Sequence, residues 1–341
     1  MKKFLSVILF FALTAITVSA ASLDDLSLRT RFGYNQSFEG KERLPEAAGF
    51  FADYAVLGVE ATLFDGLTFK YEHNLSEIYY GFWNTIDDLT LNYDLNNWSF
   101  SAGKMFSLVG TWEFDSDDIE VYHGSEFWQQ SEVYQLGALV AYNFNNETDQ
   151  INFQVTSSPF RFLTSDNRDL MQYNIMWYGE HDWFQTAYSA NFVGYEKGKF
   201  MNYIALGNRF EFENGYLDLD FINRADMESY KFFKDFTAVA DFRLRFGEND
   251  RVELGLKYSF DYNDGNQVDY MVLDGTKIHT VSARVDFRPI KNYSDLRLFC
   301  FVSDSFGEQT NGSYAVNTPK CLSANIGINW NVDFLKIFSK N

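Results

Sequence analysis

Positive charge is scarce in this sequence: 28 Lys and Arg stand against 47 Asp and Glu, a net charge of −19. So acidic a chain offers no basic surface to a phosphate backbone, which excludes nucleic acid as a partner. Proline is rarer still, with four in 341 residues, and there are two cysteines and four histidines. Two cysteines are too few for a disulfide scaffold, and without nearby histidines they make no zinc site. Cys300 and Cys321 could bridge the last hairpin or remain as two thiols. None of His73, His123, His181 and His279 accompanies a Gly-x-Ser-x-Gly motif, so a membrane-embedded hydrolase is a distant alternative and no enzyme is expected. Long apolar runs are missing too. After residue 21 none approaches the roughly 20 residues that a spanning helix needs.

The one apolar run of any length lies at the start. Lys2 and Lys3 precede the apolar stretch from Phe4 to Val18, and Val18-Ser19-Ala20 places small residues where a signal peptidase reads. Residues 1–20 are therefore expected to be a cleaved leader, leaving residues 21–341 as one exported domain. Removing the two lysines takes the net charge from −19 to about −21.

Aromatic residues are abundant: Phe, Trp and Tyr make up 19% of the chain. They are set in a period-two pattern. In Leu26 to Asn35 every even position suits an apolar face, while the odd positions are polar or tiny; Ala55 to Leu63, Leu89 to Leu95 and Ile326 to Phe334 repeat the pattern. Sixteen such segments can be counted, at 26–35, 53–64, 67–73, 89–96, 98–104, 133–144, 150–157, 172–179, 183–194, 202–212, 216–223, 236–246, 251–260, 277–288, 295–303 and 322–334. Strands apolar on one face and polar on the other, exported and with no spanning helix, imply an all-β transmembrane antiparallel barrel of about sixteen strands.

The links between segments alternate in length. After even-numbered strands they are turns, such as Asp65-Gly66, Asn96-Asn97 and Glu213-Asn214-Gly215; after odd-numbered strands they are longer, such as 36–52, 74–88, 261–276 and 304–321. Short periplasmic turns and long external loops are the membrane-barrel arrangement. Phe64, Trp98, Tyr142, Phe144, Trp183, Phe212, Tyr216, Phe246, Phe287 and Phe334 cluster beside the short turns, where an interfacial girdle belongs.

The longest link, 105–132, follows strand 5. It carries seven acids (Glu113, Asp115, Asp117, Asp118, Glu120, Glu126 and Glu132) and no Lys or Arg, together with Phe106, Trp112, Phe114, Phe127 and Trp128. So aromatic a loop must pack against something, and the nearest surface is the inside of the barrel. Glu113, Asp115, Asp117, Asp118, Glu120 and Glu126 are then the candidate constriction. The cluster Asp115-Ser116-Asp117-Asp118 lacks the glycine and distal glutamate of a calcium loop, so an acidic pore surface is the better reading and no metal is expected. Opposite it, Arg29, Arg31, Arg243, Arg245, Lys257, Arg284, Arg288 and Arg297 fall on the polar phase as a basic wall, with Lys104 also placed in the lumen. Acid facing base would set a transverse field across a wet channel.

Sixteen alternating strands, a last strand ending at Phe334 and the longest loop between strands 5 and 6 resemble the trimeric outer-membrane porins. Gly103-Lys104 at the end of strand 5 is similar to the phosphate-selective O/P-type group. The resemblance implies a loop folded into the pore and a possible homotrimer. The acidity of this chain departs from phosphate-selective members, which line the pore with excess Arg and Lys. The expectation is thus an outer-membrane channel without cofactors, surrounded by lipid and passing small hydrophilic solutes, with modest cation selectivity. The alternatives are a structural or adhesive barrel with a closed lumen and, less favoured, an anion- or phosphate-selective porin.

Overall fold

A computed structural model describes residues 21–144, 148–162, 169–228, 232–265, 272–291, 293–309 and 320–338; the expected leader at 1–20 lies outside the described residues. Sixteen strands follow in chain order. The first eight are β1 (Ser22–Glu39), β2 (Glu42–Phe64), β3 (Leu67–Asn74), β4 (Ile86–Leu95), β5 (Trp98–Phe106), β6 (Tyr134–Phe144), β7 (Asp149–Ser157) and β8 (Met171–His181). The rest are β9 (Phe184–Glu196), β10 (Lys199–Phe212), β11 (Gly215–Asp226), β12 (Asp235–Phe246), β13 (Val252–Asn263), β14 (Thr276–Phe287), β15 (Leu296–Gln309) and β16 (Cys321–Asp333). Each pairs antiparallel with its chain neighbours, and β1 pairs with β16 from Ser27↔Asp333 to Glu39↔Cys321, so the sheet closes into a ring. Every segment counted in the sequence corresponds to one of these strands.

Its burial is that of a protein turned inside out. Leu254 and Leu256 on β13, Val281 and Val285 on β14, Leu298 and Val302 on β15, and Ile326 and Trp330 on β16 are exposed. Their alternate neighbours Glu253, Ser282, Arg284, Ser303 and Asn329 are buried. Only hydrocarbon outside and water or polar protein inside make that distribution favourable, and the closed ladder leaves no unpaired sheet edge for lipid to meet. Two aromatic belts bound the apolar band. Phe64, Trp98, Trp183, Phe212, Phe246 and Phe287 are exposed beside the short turns. Toward the other end, Phe260, His279 and Phe306 stack across β13 to β15 at 4.3 and 5.2 Å, and Phe236 of β12 meets Phe260 edge-on at 5.6 Å. Val252 pairs with Phe287 and Phe260 with His279. These levels lie eight residues apart along β13, roughly 20 Å once strand tilt is allowed for.

Several sequence expectations are corrected. The link 36–52 is a tall hairpin, because β1 and β2 continue to Glu39 and Glu42 around Gly40-Lys41, with register shifts at Arg31/Phe32 and Asn35/Ser37. Tyr216 is not a girdle residue; it is buried in the lumen beneath the guanidinium groups of Arg209, Arg243 and Arg245. Lys104 shares the outward face of β5 with Trp98 and Phe100, since it pairs with Leu89 and Leu136. It is tolerated there because the 75–85 segment folds over the outer wall and offers Lys104 the carbonyls of Trp83 and Asn84 at 3.2 and 3.1 Å. The same cover buries His73, which bonds Thr85 and Tyr71. Phe334 begins a short helix, Phe334–Phe338, after the last strand.

The cysteines are free. Cys300 lies opposite Ile326 and Cys321 opposite Ser305, five positions apart along the β15–β16 ladder, about 16 Å at 3.3 Å per residue and far beyond disulfide reach. Maleimide added to unfolded, non-reduced protein should therefore label two thiols per chain. Protection of both would restore the bridge.

Candidate functional site

Between β5 and β6 the chain forms two short helices, α1 (Trp112–Asp115) and α2 (Glu126–Gln130), joined by a single 3-10 turn, Asp118–Glu120. Thr111, Asp117 and Ser125 cap these turns with their side-chain oxygens, which is why a loop rich in Asp and Ser holds a defined shape. The loop bonds wall residues from β8 round to β16 and on to β1 and β2, and only a segment inside the ring can reach all of them. Its apolar side forms a core with the wall: Val109, Phe114 and Phe127 pack on Val193, Tyr203 and Ile222.

Charged groups pin the loop on both sides. Buried Asp220 on β11 accepts the backbone N–H groups of Trp112 and Glu113 at 3.0 and 2.8 Å. Buried Asp261 on β13 accepts the N–H of Glu126 at 3.0 Å and the Thr237 hydroxyl at 2.6 Å. Each carboxylate thus meets the positive end of a helical turn. The side chains of the loop are answered by cations. Lys257 Nζ donates to Glu113 Oε1 at 2.6 Å, while Ser125 donates to Glu113 through both its N–H and its hydroxyl. Glu120 faces Arg297, Arg284 and Arg243, with Arg297 Nη1 at 2.8 Å. Burial by itself raises the Glu120 carboxyl, but the Arg297 hydrogen bond and the fields of the three guanidinium groups hold it at about 2.

Across the ring, Arg29 bonds Asp117 at 2.5 Å and Glu72 at 3.0 Å, and the Tyr54 hydroxyl donates to Asp117 at 3.2 Å. Arg31 holds Asp53 in a two-toothed grip at 3.0 Å and donates to the Ile119 and Val121 carbonyls at 3.3 and 3.0 Å. Asp118 sits beside Asp117; burial and that neighbour's charge push its carboxyl up to about 6. The loop therefore crosses the lumen, held by β11 and β13 on one side and by β1 and β2 on the other.

The candidate constriction residues consequently divide. Asp115, Asp117 and Glu120 line an open cleft, with Arg209, Arg243, Arg245, Arg288 and Arg297 and with Glu253 of the wall. Asp118 lies on the loop's other flank, within 3.4 Å of the Tyr134 hydroxyl. Glu113 and Glu126 do not line a passage. They are 5% and 0% exposed, enclosed in the packing of the loop, which is a correction to their expected place. The basic wall divides as well. Arg29, Arg31, Lys257, Arg284 and Arg297 anchor the loop, whereas Arg245 pairs with Glu253 of the wall, and Arg288 reaches the Asp250 carbonyl at the turn end. Period-two reading of the charges missed Asp220 and Asp261 as helix caps, and Tyr122, which packs on Phe299 and Phe301. For Asp220 and Asp261 the signal would have been inward-facing carboxylates with no cation beside them on the same face of the wall.

Residues 26–182 match a family model described as phosphate-selective porin O and P. No curated protein matches the chain by sequence. Among solved structures, OmpT expressed in the outer membrane of Vibrio cholerae superposes with a TM-score of 0.62 at 12% identity, covering 93% of this chain and 99% of that one. The in-vitro folded trimer form of the same protein gives 0.61 at 12% identity over 92% and 100%. A triple mutant of the Rhodopseudomonas blastica porin gives 0.54 at 11% identity over 92% and 100%. The chain has the sixteen-stranded porin fold.

Asp220→Asn with Asp261→Asn removes both wall carboxylates and leaves buried N–H groups short of an anionic acceptor, weakening the docking by about 1–3 kcal/mol per site. Single-channel recordings of the pair should show increased open-channel noise. Noise equal to the parent would mean that these caps do not hold the loop.

Proposed function

We propose that this chain is an outer-membrane porin through which small hydrophilic solutes diffuse passively, exported by the leader at 1–20. The observation that carries the reading is the lumen: a closed sixteen-stranded ring, apolar outside, charged inside, and crossed by one docked loop. Charges at that density inside a ring of this size imply water to hydrate them. Nothing in the mechanism calls for a cofactor or an energy source: the loop narrows the passage, and the lining charges bias what enters. Lipid would surround the barrel, and a homotrimer is the assembly suggested by the trimer form of the Vibrio cholerae neighbour.

The geometry bears on selectivity. The cation preference expected from the loop rests on seven acids without a base, yet Glu113 is matched by Lys257, Asp117 by Arg29 and Glu120 by three arginines. Around the open cleft stand five arginines and the carboxylates Asp115, Asp117, Glu120 and Glu253, while Asp218 and Asp241 of the wall neutralise Arg209 and Arg243. We favour weak anion selectivity set by Arg245 and Arg288, the least neutralised of the row, a reading that the family-model match to residues 26–182 also supports. The cation reading retains one argument, the acidity of the whole chain at −19.

Planar-bilayer recordings should give stable conductance steps, with a reversal potential favouring anions more strongly at low salt, where the Debye length exceeds about 10 Å. Arg245→Gln with Arg288→Gln, which spares the anchoring arginines, should shift the reversal potential toward cations. A cation-selective parent would return the loop to the role of selector, and silent insertion would favour a structural barrel with a closed lumen.

A further inference from the structure

Two inward-facing residues near the external end are not used by the wall or by the loop. Phe51 on β2 is half-buried, and its ring has no ring partner among the described residues. Asn325 on β16 is likewise half-buried, and its amide has no hydrogen-bond partner among the described residues. Both line one cavity. Phe51 pairs with Gly33 of β1, Gly33 with Gly327 of β16, and Gly327 with Phe299 of β15. A glycine pair thus lies between two inward aromatic rings, where the lack of side chains lets β1 and β16 approach closely: a Cβ on Gly33 would run into the Ile326 carbonyl oxygen, and one on Gly327 would come within 2.6 Å of the Phe299 ring.

Between Phe51 and the inward rings of β15 lies a cavity of about 230 Å³. Its apolar lining is Phe51, Tyr122, Phe299 and Phe301, with Tyr122 packed on Phe299 at 4.7 Å as the floor toward the constriction. Its polar rim is Asn35, Asn325 and the Arg31–Asp53 pair, whose charges cancel. Aromatic faces on one side, hydrogen-bonding groups at the edge and no net charge suit a flat ligand with apolar C–H faces and a hydroxylated perimeter. A charged solute would gain nothing from a neutralised pair, and a plain aromatic ring would leave the Asn325 amide without a partner.

We propose that this slot is a carbohydrate subsite of the external vestibule, in which one pyranose ring stacks on Phe51 and hydrogen-bonds Asn325 before descending past the loop. The proposal deepens the channel reading and rests on it for its transport meaning. The test uses the full-length protein and maltose as the probe. In bilayers, maltose should reduce the KCl current saturably; in detergent, calorimetry should register maltose binding. Phe51→Ala with Asn325→Ala should weaken both effects about tenfold, equivalent to about 1.4 kcal/mol, while KCl conductance stays that of the parent. A conducting parent that maltose neither blocks nor binds would overturn the subsite and leave the porin reading intact. Equal binding by the variant, or saturable block by benzoate without block by maltose, would also overturn it. Maltose binding in detergent by a protein that never conducts would support the slot and remove the channel.

Discussion

The structure depends first on the thirteen-residue ladder from Ser27↔Asp333 to Glu39↔Cys321, which joins the first strand to the last. In hydrocarbon an unpaired strand edge leaves a row of N–H and C=O groups without water, so the sheet is viable there only as a ring. Closure also creates an interior. Once it exists, the odd positions of β1 and their counterparts round the ring can be charged without facing lipid, and that charged phase decides everything that happens inside.

The loop between β5 and β6 follows from this interior. A segment with seven acids and no base would repel itself in isolation, yet here every turn of it meets a complementary group. Wall carboxylates take its helix N–H groups, wall guanidinium groups take its carboxylates, and Arg31 takes its carbonyls. Truncating one member of such a buried pair leaves the other uncompensated, a loss of about 3–5 kcal/mol. The loop is consequently a fixed bar across the lumen, and the cleft lined by arginines and the slot beside Phe51 lie against it.

The strands were legible because one constraint, an apolar face toward lipid, acts along their whole length. Short turns such as Asp65-Gly66 were legible because tight reversals demand particular residues. What depends on a second layer was not. Lys104 reads as lumen-facing by its charge, but its phase in β5 turns it outward, where the 75–85 segment shields it. Tyr216 reads as girdle by its place after a turn, but the arginines gathered inside hold its ring. The cysteines are near in sequence terms, yet the β15–β16 register separates them. The acids of the loop could be named from composition, while their partners could not, since pairing joins residues as distant as Glu120 and Arg297.

The central claim is that the loop spans the lumen in the conducting state, resting on β1 as well as on β11 and β13. A short bis-maleimide link in place of the Arg29–Asp117 pair tests this most directly: Arg29→Cys with Asp117→Cys in a chain carrying Cys300→Ser and Cys321→Ser, the reagent spanning the length of the two side chains it replaces. The account predicts that the link forms within the folded protein and that the linked channel conducts as the unlinked one does. A link that does not form, or one whose formation abolishes a conductance present in the unlinked channel, would contradict it.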